Sequence, residues 1–482
     1  MKIWGLALVL VTSAAFAHVG SPDVYFESDA GPYHLLVTVN PPPMIPGVAQ
    51  VQIEVTSGMA NGITITPVYV NGKDHGLPPA ADTMEPSADS HWFSGKVWLM
   101  ESGVWNLRAE VAGPQGIGRL VIPVPAYARR TLPMQRGLGV LLFALMLLLS
   151  VGIISIAGAA AREGILARAV TPSSRNLRLG RIAMAIASVL VVTILALGNG
   201  WWNAQASELK HTMLYNAPPL QVSYQAGQLT LKMDENFWHQ TRKDQWSMSL
   251  IPDHGHFMHL FLLRVPAMDR FYHLHPEQIA PGLFSAKLPE VSPGSYKVFA
   301  DIVRGTGFPE TMVSEVSLPA VAGGPYSGDD SGVSTTAFEP SAQFPATSPL
   351  ADGVRMVWEQ NGTPLKAGQV SWFRFRVENT QRKPVDDLEP YMGMMGHAEF
   401  LRSDFSVFAH IHPAGSIPMA SLTMAQQELG MAMDHASMDN RSNPAEVSFP
   451  YGFPQAGDYR LFVQVKRRGV VETGVFDAHV QN

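Results

Sequence analysis

Two histidine pairs in this sequence are spaced i, i+2 and followed at once by proline: His273 and His275 in HLHP, and His410 and His412 in HIHP. In a strand, residues i and i+2 share a face, so each pair places two imidazoles side by side, and Pro276 or Pro413 ends the strand. A third histidine lies upstream in each stretch, His259 in one and His397 in the other. If 397–402 and 407–412 form a hairpin turning at 403–406, Arg402 pairs with Val407 and His397 falls opposite His412. The same construction with a loop one residue longer, around 266–269, brings His259 beside His275. Three imidazoles then converge on one sheet face in each copy, namely His259, His273 and His275, and His397, His410 and His412. A slip of one residue would send the upstream histidine to the other face.

Imidazole suits copper, zinc and nickel, and convergent histidines favour such a metal over calcium or magnesium. The chain has no cysteine, so disulfides, thiolate zinc sites and thiol catalysis are excluded, but it carries 16 His and 23 Met. Met392, Met394 and Met395 directly precede His397. The stretch 419–438, which reads as a polar loop, contains Met424, Met431, Met433 and His435. Thioether is a soft ligand that selects Cu(I), which makes copper the expected metal and zinc the alternative. In the first stretch Met258 adjoins His259, and His254 and His256 in DHGHFMH are further candidate ligands. The plainer reading is that HxHP ends a strand, its imidazoles bonded to backbone, while methionine fills an irregular core or a partner-docking loop.

The elements that must position these residues read as β-strands. Residues 259–277 line up with 397–414 after a one-residue gap, and PGSYKVFADIVR (293–304) with AGDYRLFVQVKR (456–467), pairing Gly294 with Gly457 and Phe299 with Phe462. The two C-terminal domains, 205–322 and 351–482, are therefore expected to be copies of one β-sandwich, joined by a flexible Gly/Ser/Pro-rich linker at 323–350. Residues 18–130 show the same short alternating runs, so the predicted class is mainly β, with three Ig-like sandwiches.

Residues 1–17 carry Lys2, an apolar run and an A-x-A-like site ending at Ala17, the pattern of a secretory signal peptide. The stretches 137–161 and 182–202 are uncharged and long enough to cross a bilayer as two transmembrane helices, an anchor in which Gly152, Gly158 and Gly198 could support packing. The intervening 162–181 holds five arginines against Glu163, which predicts a cytoplasmic loop and places the β-domains outside the cytoplasm, on the periplasmic or extracellular side of a multi-pass inner-membrane protein.

The stretch YMGMMGHAEFLRSDFSVFAHIHP resembles a motif of exported bacterial proteins associated with copper or heavy-metal handling. The short sandwich domains resemble the YtkA-like and FixH-like group, and that resemblance implies a role in copper supply, with a respiratory oxidase or a metal transporter as partner. Cleavage after Ala17 would expose His18, whose amine and ring could form a copper brace with Asp23, His34, His75 or His91. Such a brace resembles the CopC-like copper-binding sandwiches, and also the lytic polysaccharide monooxygenases, although 113 residues leave little room for the extended substrate face of the latter.

With 34 Lys+Arg against 40 Asp+Glu and a net charge of −6, the chain lacks the basic surface that nucleic acid requires. No nucleophile elbow, Walker A, Rossmann or HExxH motif is present, so catalysis is not indicated. The leading expectation is a membrane-anchored copper-binding or copper-trafficking protein. The alternatives are an envelope assembly or interaction protein with structural histidines and an oxidative copper enzyme built on His18.

Overall fold

A computed structural model describes residues 23–70, 81–88, 91–167, 169–234, 249–341, 344–428, 430 and 445–482. The predicted signal peptide, His18, His75, Met431, Met433 and His435 lie outside the described residues. The fold is mainly β, and the chain divides into two compact units, Met1–Tyr127 with Asn216–Asn482, and Ala128–Tyr215.

The second unit is a pair of helices, α1 (Arg136–Glu163) and α2 (Ser174–Met213), each long and apolar enough to cross a membrane. They extend beyond the predicted apolar spans at both ends. Gly158 permits their close approach, because a Cβ there would lie 2.4 Å from Met184 Cγ, and Gly180, whose Cβ would lie 3.1 Å from the Gly158 carbonyl, serves the same contact. Nothing lies within 4 Å of a Cβ at Gly152 or Gly198, so these two do not support the packing.

In the first unit each β-domain consists of two sheets. The N-terminal pair encloses a core in which Gly47–Ser57 alternates strictly, with Ala49, Val51, Ile53 and Val55 inside and Gln50 and Gln52 exposed. The two C-terminal domains repeat one topology. In each, a hairpin (His259–Val265 with Arg270–Leu274, or His397–Arg402 with Phe408–Ile411) pairs antiparallel with a long strand, Gly294–Arg304 or Gly457–Arg467. The long strand pairs in turn with Pro309–Leu318 or Val470–Gln481. Even the register repeats, since His259 stands opposite Asp301 and His397 opposite Gln464.

The hairpin strands do not alternate, and HLFLLRV and HAEFLR are buried on consecutive residues. Such runs mark a sheet covered on both faces. One face fills the domain's own core and the other packs against the second copy, where Phe261, Leu263, Phe271 and Phe299 meet Leu401, Phe408 and Phe462. Phe271 stacks on Phe462 at 4.2 Å and Phe299 on Phe408 at 4.4 Å. These two stacks exchange matched positions of the repeat, which is the signature of a local two-fold axis between the copies.

Two expectations are corrected. The stretch 323–350 is not a free linker, for Ser331–Ser334 adds a strand to the first copy's hairpin and Thr347–Pro349 pairs with Arg355–Trp358. The start of the Met-rich stretch is not a loop but helix α3 (Met419–Glu428), whose Met419, Leu422 and Ala425 are buried, with Met419 and Leu422 in the N-terminal domain's core. Asn106 Nδ2 donates to Glu428 Oε2 at 2.6 Å on the same contact.

Candidate metal centre

The hairpin registers bring each upstream histidine opposite the second histidine of its HxHP. Leu260 pairs with Leu274 and Ala398 with Ile411, so His259 faces His275 and His397 faces His412. All of these side chains lie on the face that meets the other copy. The result is one cluster of eight histidines between the two domains, at residues 254, 256, 259, 273, 275, 397, 410 and 412, with ring centroids of neighbours 4.0–6.5 Å apart.

Within it, two triads could hold a metal ion, each with ligand atoms lying within 4.8 Å of one another. The first is His259, His273 and His275, the set expected from sequence. The second is His254, His397 and His412, which corrects the expected set by replacing His410 with a residue from the other copy. His410 Nδ1 instead faces Asp301 Oδ2 at 3.4 Å, the two-fold counterpart of the 2.8 Å contact between His273 Nδ1 and Gln464 Oε1.

His254 reaches the second triad because of a turn. Asp253 and His256 exchange backbone hydrogen bonds of 2.8 and 2.9 Å, and His254 (φ 52°) and Gly255 (φ 86°) occupy the left-handed region between them. Tyr391–Met394 forms the same turn, with Met392 at φ 53° and Gly393 at φ 81°. The repeat therefore extends upstream of both hairpins, matching His254 to Met392 and His256 to Met394. The shared signal, a His or Met before and after a glycine, stands in the sequence as HGH and MGM.

In the first triad every outer nitrogen is anchored. His259 Nε2 donates to the Asp253 carbonyl at 3.2 Å, His273 Nδ1 to Gln464 Oε1 at 2.8 Å, and His275 Nδ1 to Asp330 Oδ1 at 3.0 Å. Such second contacts fix the tautomer and aim of a metal-binding imidazole. His275 Nε2 is buried with no hydrogen-bond partner among the described residues, and His259 Nδ1 and His273 Nε2 face each other at 3.2 Å. Asp330 comes from the stretch read as a linker, and its neighbour Asp329 faces His256 Nε2 at 3.4 Å and accepts from the Tyr391 hydroxyl on its carbonyl at 2.8 Å. Sequence gave no metal-site role to either aspartate.

In the second triad His412 Nδ1 donates to the Ile417 carbonyl at 3.2 Å, and its Nε2 faces His254 Nε2 at 3.3 Å. Both ring nitrogens of His397 are buried without a hydrogen-bond partner among the described residues. The loop after His412 is clamped by the N-terminal domain, since Glu27 N donates to the Ala414 carbonyl at 2.8 Å and Ser416 N to the Tyr25 carbonyl at 2.9 Å.

Burial pushes His259, His273, His397 and His412 well below the ordinary imidazole range, and the neighbouring rings add to the shift. Burial also lowers His254, and it lowers His275 against the opposing pull of Asp330. Glu399 replaces Phe261 near the local axis. Its carboxylate is fully buried, 3.8 Å from His273 Nδ1, and has no hydrogen-bond partner among the described residues. Burial, with Asp301 adding, pushes it well above the usual carboxylate range.

The remaining expected ligands fall nearby or elsewhere. The His256 ring lies 4.0 Å from that of His275, tilted by 31°, without joining the triad's ligand atoms. Met394 is buried and lines a cavity beside His254, whereas Met395 packs against the second copy's core. His34 is held by Asp29 at 2.5 Å and Glu27 at 3.0 Å in the N-terminal sheet.

A family described as a domain of unknown function, DUF8832, matches residues 349–482. No curated protein matches the chain. Among solved structures, an engineered protein is similar at 12% identity over 20% of this chain and 21% of its own, with TM-score 0.16, so the chain spans about a fifth of its length. The ICAM-5 D1–D4 ectodomain fragment is 7% identical over 91% of this chain and 73% of its own, at TM-score 0.15. A putative membrane-anchored protein from Corynebacterium diphtheriae is 8% identical over 95% and 96%, at TM-score 0.15. The family match thus falls on the copy that carries His397, His410 and His412.

Proposed function

We propose that this chain is a membrane-anchored protein that binds copper at the paired histidine sites between its two repeats and passes it on outside the cytoplasm. The observation that carries the reading is the 3.2 Å approach of His259 Nδ1 to His273 Nε2. Gln464 Nε2 donates to Ser331 Oγ at 2.5 Å, so Gln464 Oε1 is left to accept a proton from His273 Nδ1. The Asp253 carbonyl likewise takes the proton of His259 Nε2. Each ring therefore turns a lone pair toward the other. Two such lone pairs repel unless a cation lies between them, and burial beside further imidazoles opposes a proton in that role. Ligand nitrogens on one tetrahedral ion at ~2.0–2.1 Å are about 3.3 Å apart, close to the 3.2 Å between His259 Nδ1 and His273 Nε2 and the 3.3 Å between His254 Nε2 and His412 Nε2, with the third nitrogen of each triad within 4.8 Å.

All-imidazole triads without thiolate, set among methionines, favour copper, with zinc as the alternative. The signal-peptide pattern and the arginine loop favour placement on the periplasmic or extracellular side, where a respiratory oxidase or metal transporter would be the partner. The test is anaerobic titration of the full chain in detergent with Cu(I) under a competing chelator, then with Cu(II) and Zn(II). About two tight Cu(I) equivalents are expected, one of them lost in the His259→Ala/His275→Ala variant. If none of the three ions binds tightly, the histidines are structural and the domains are envelope assembly or interaction modules.

A further inference from the structure

Outside the second triad lies a cavity of about 760 Å³ whose wall includes His254, Met392, Met394, Met419 and Met424. Four methionines line it against three other apolar side chains, Ile251, Pro252 and Ala420, which concentrates soft donors around one cavity. Met394 and Met419 are also buried in the N-terminal domain's core, whereas Met392 and Met424 are only half-buried. The methionines come from two separate elements, the turn before His397 and helix α3. Asp253 Oδ1, on the turn that carries His254, accepts from Ala420 N at 2.7 Å, and Ser421 Oγ donates to the Gly307 carbonyl at 2.7 Å, so helix α3 is fixed beside His254 by the first copy. His254 belongs to both places, since it lines the cavity and also faces His412 at 3.3 Å.

We propose that the Met392, Met394, Met419 and Met424 thioethers form a Cu(I)-acquisition site, and that His254 hands the ion inward from this cavity to His397 and His412. The inference rests on the copper reading above and adds to it the point of entry, the oxidation state and the order of binding. No electron moves in this step. Cu(I) exchanges thioether for imidazole ligands, and a borderline divalent ion, which thioether holds poorly, enters without pausing there.

The experiment compares the full chain in detergent with its Met392→Leu/Met424→Leu variant, in which leucine conserves volume. Cu(I) is supplied anaerobically as a coloured chelate and uptake is followed by stopped flow. Sulfur scattering is measured at the copper edge on samples with less than one equivalent, freeze-quenched at successive times during uptake, and Co(II) absorption reports the histidine triads. The expected result is copper–sulfur scattering in the parent, its loss in the variant, Cu(I) uptake slowed about tenfold or more, and unchanged Co(II) spectra. Nitrogen-only scattering in the parent at every freezing time from the onset of uptake, with Cu(I) bound at the triads, would overturn the acquisition site and leave copper binding standing. A parent that takes up no Cu(I) would overturn both. The parent's scattering decides the matter even if the variant misfolds.

Discussion

Replacing His254 with alanine is expected to remove one metal ion from a triad whose other two ligands belong to a different domain. His254 contributes a ligand atom to the group with His397 and His412 and none to the group with His259, His273 and His275. Structural zinc sites with four protein ligands are worth about 10–16 kcal/mol, which is ~3 kcal/mol per ligand. At ~1.4 kcal/mol per decade, losing one imidazole weakens the second site about a hundredfold and leaves the first unchanged. His254 is only half-buried on a turn, so the substitution costs the fold little. The assay is a competition titration of parent and His254→Ala, with bound ions counted by native mass spectrometry. His410→Ala serves as the contrast, because His410 lies outside both triads and its loss should retain both ions. Loss of an ion in His410→Ala together with full retention in His254→Ala would refute the composite site and restore a same-domain set of His397, His410 and His412.

Three further outcomes follow from the packing. Gly415 has φ +119° and a Cβ there would lie 2.0 Å from the Tyr25 carbonyl, so Gly415→Ala should cost about 1–3 kcal/mol in strain alone. It should also loosen the N-terminal domain from the loop that orients His412, read as a lower thermal midpoint and earlier proteolysis at that junction. Arg467 pairs with Asp387 through contacts of 2.9 Å at both carboxylate oxygens and holds it below the usual carboxylate range. The unfolded chain therefore binds a proton first as pH falls. Asp387→Asn should be about 1–3 kcal/mol less stable than the parent at neutral pH. That gap should persist above the unfolded value of ~3.9 and close as pH drops through the lower folded value, and a gap unchanged in urea melts at acid pH would contradict the pairing. In the helix pair, Gly158→Val should lower thermal stability in detergent while Gly152→Val leaves it alone, because only the first meets Met184.

Much of the centre was legible from residue spacing. Period-two pairing and the turn at 403–406 set the register that places His397 opposite His412, and the repeat carries the same register to His259 and His275. The consecutive apolar residues in HLFLLRV carry a sign of burial on both faces that the reading by alternation passed over, and that second covered face is where the copies meet. Spacing within one domain carries no information about which rings meet across that interface, which is why His410 was expected where His254 stands. The aspartates at 329 and 330 were hidden for a related reason. Their stretch is poor in large aliphatics, but Ser331–Ser334 needs none, since the exposed edge of Arg270–Leu274 supplies its backbone partners. Helix α3 was missed because its burial comes from contact with the N-terminal domain rather than from an amphipathic pattern of its own.

The exchange of ligands between copies gives a bound ion a role in assembly. His273 is aimed by Gln464 from the second copy, and the second triad is incomplete without His254 from the first. Neither centre is therefore whole until Gly457–Arg467, near the end of the chain, has paired and the two domains have closed on each other. A ligand that binds only the finished state stabilises that state alone, by mass action. An ion seated here would act as a latch, holding the two copies closed rather than stabilising either one alone. Its departure would leave the pair to the apolar contact of Phe261, Leu263, Phe271 and Phe299 with Leu401, Phe408 and Phe462.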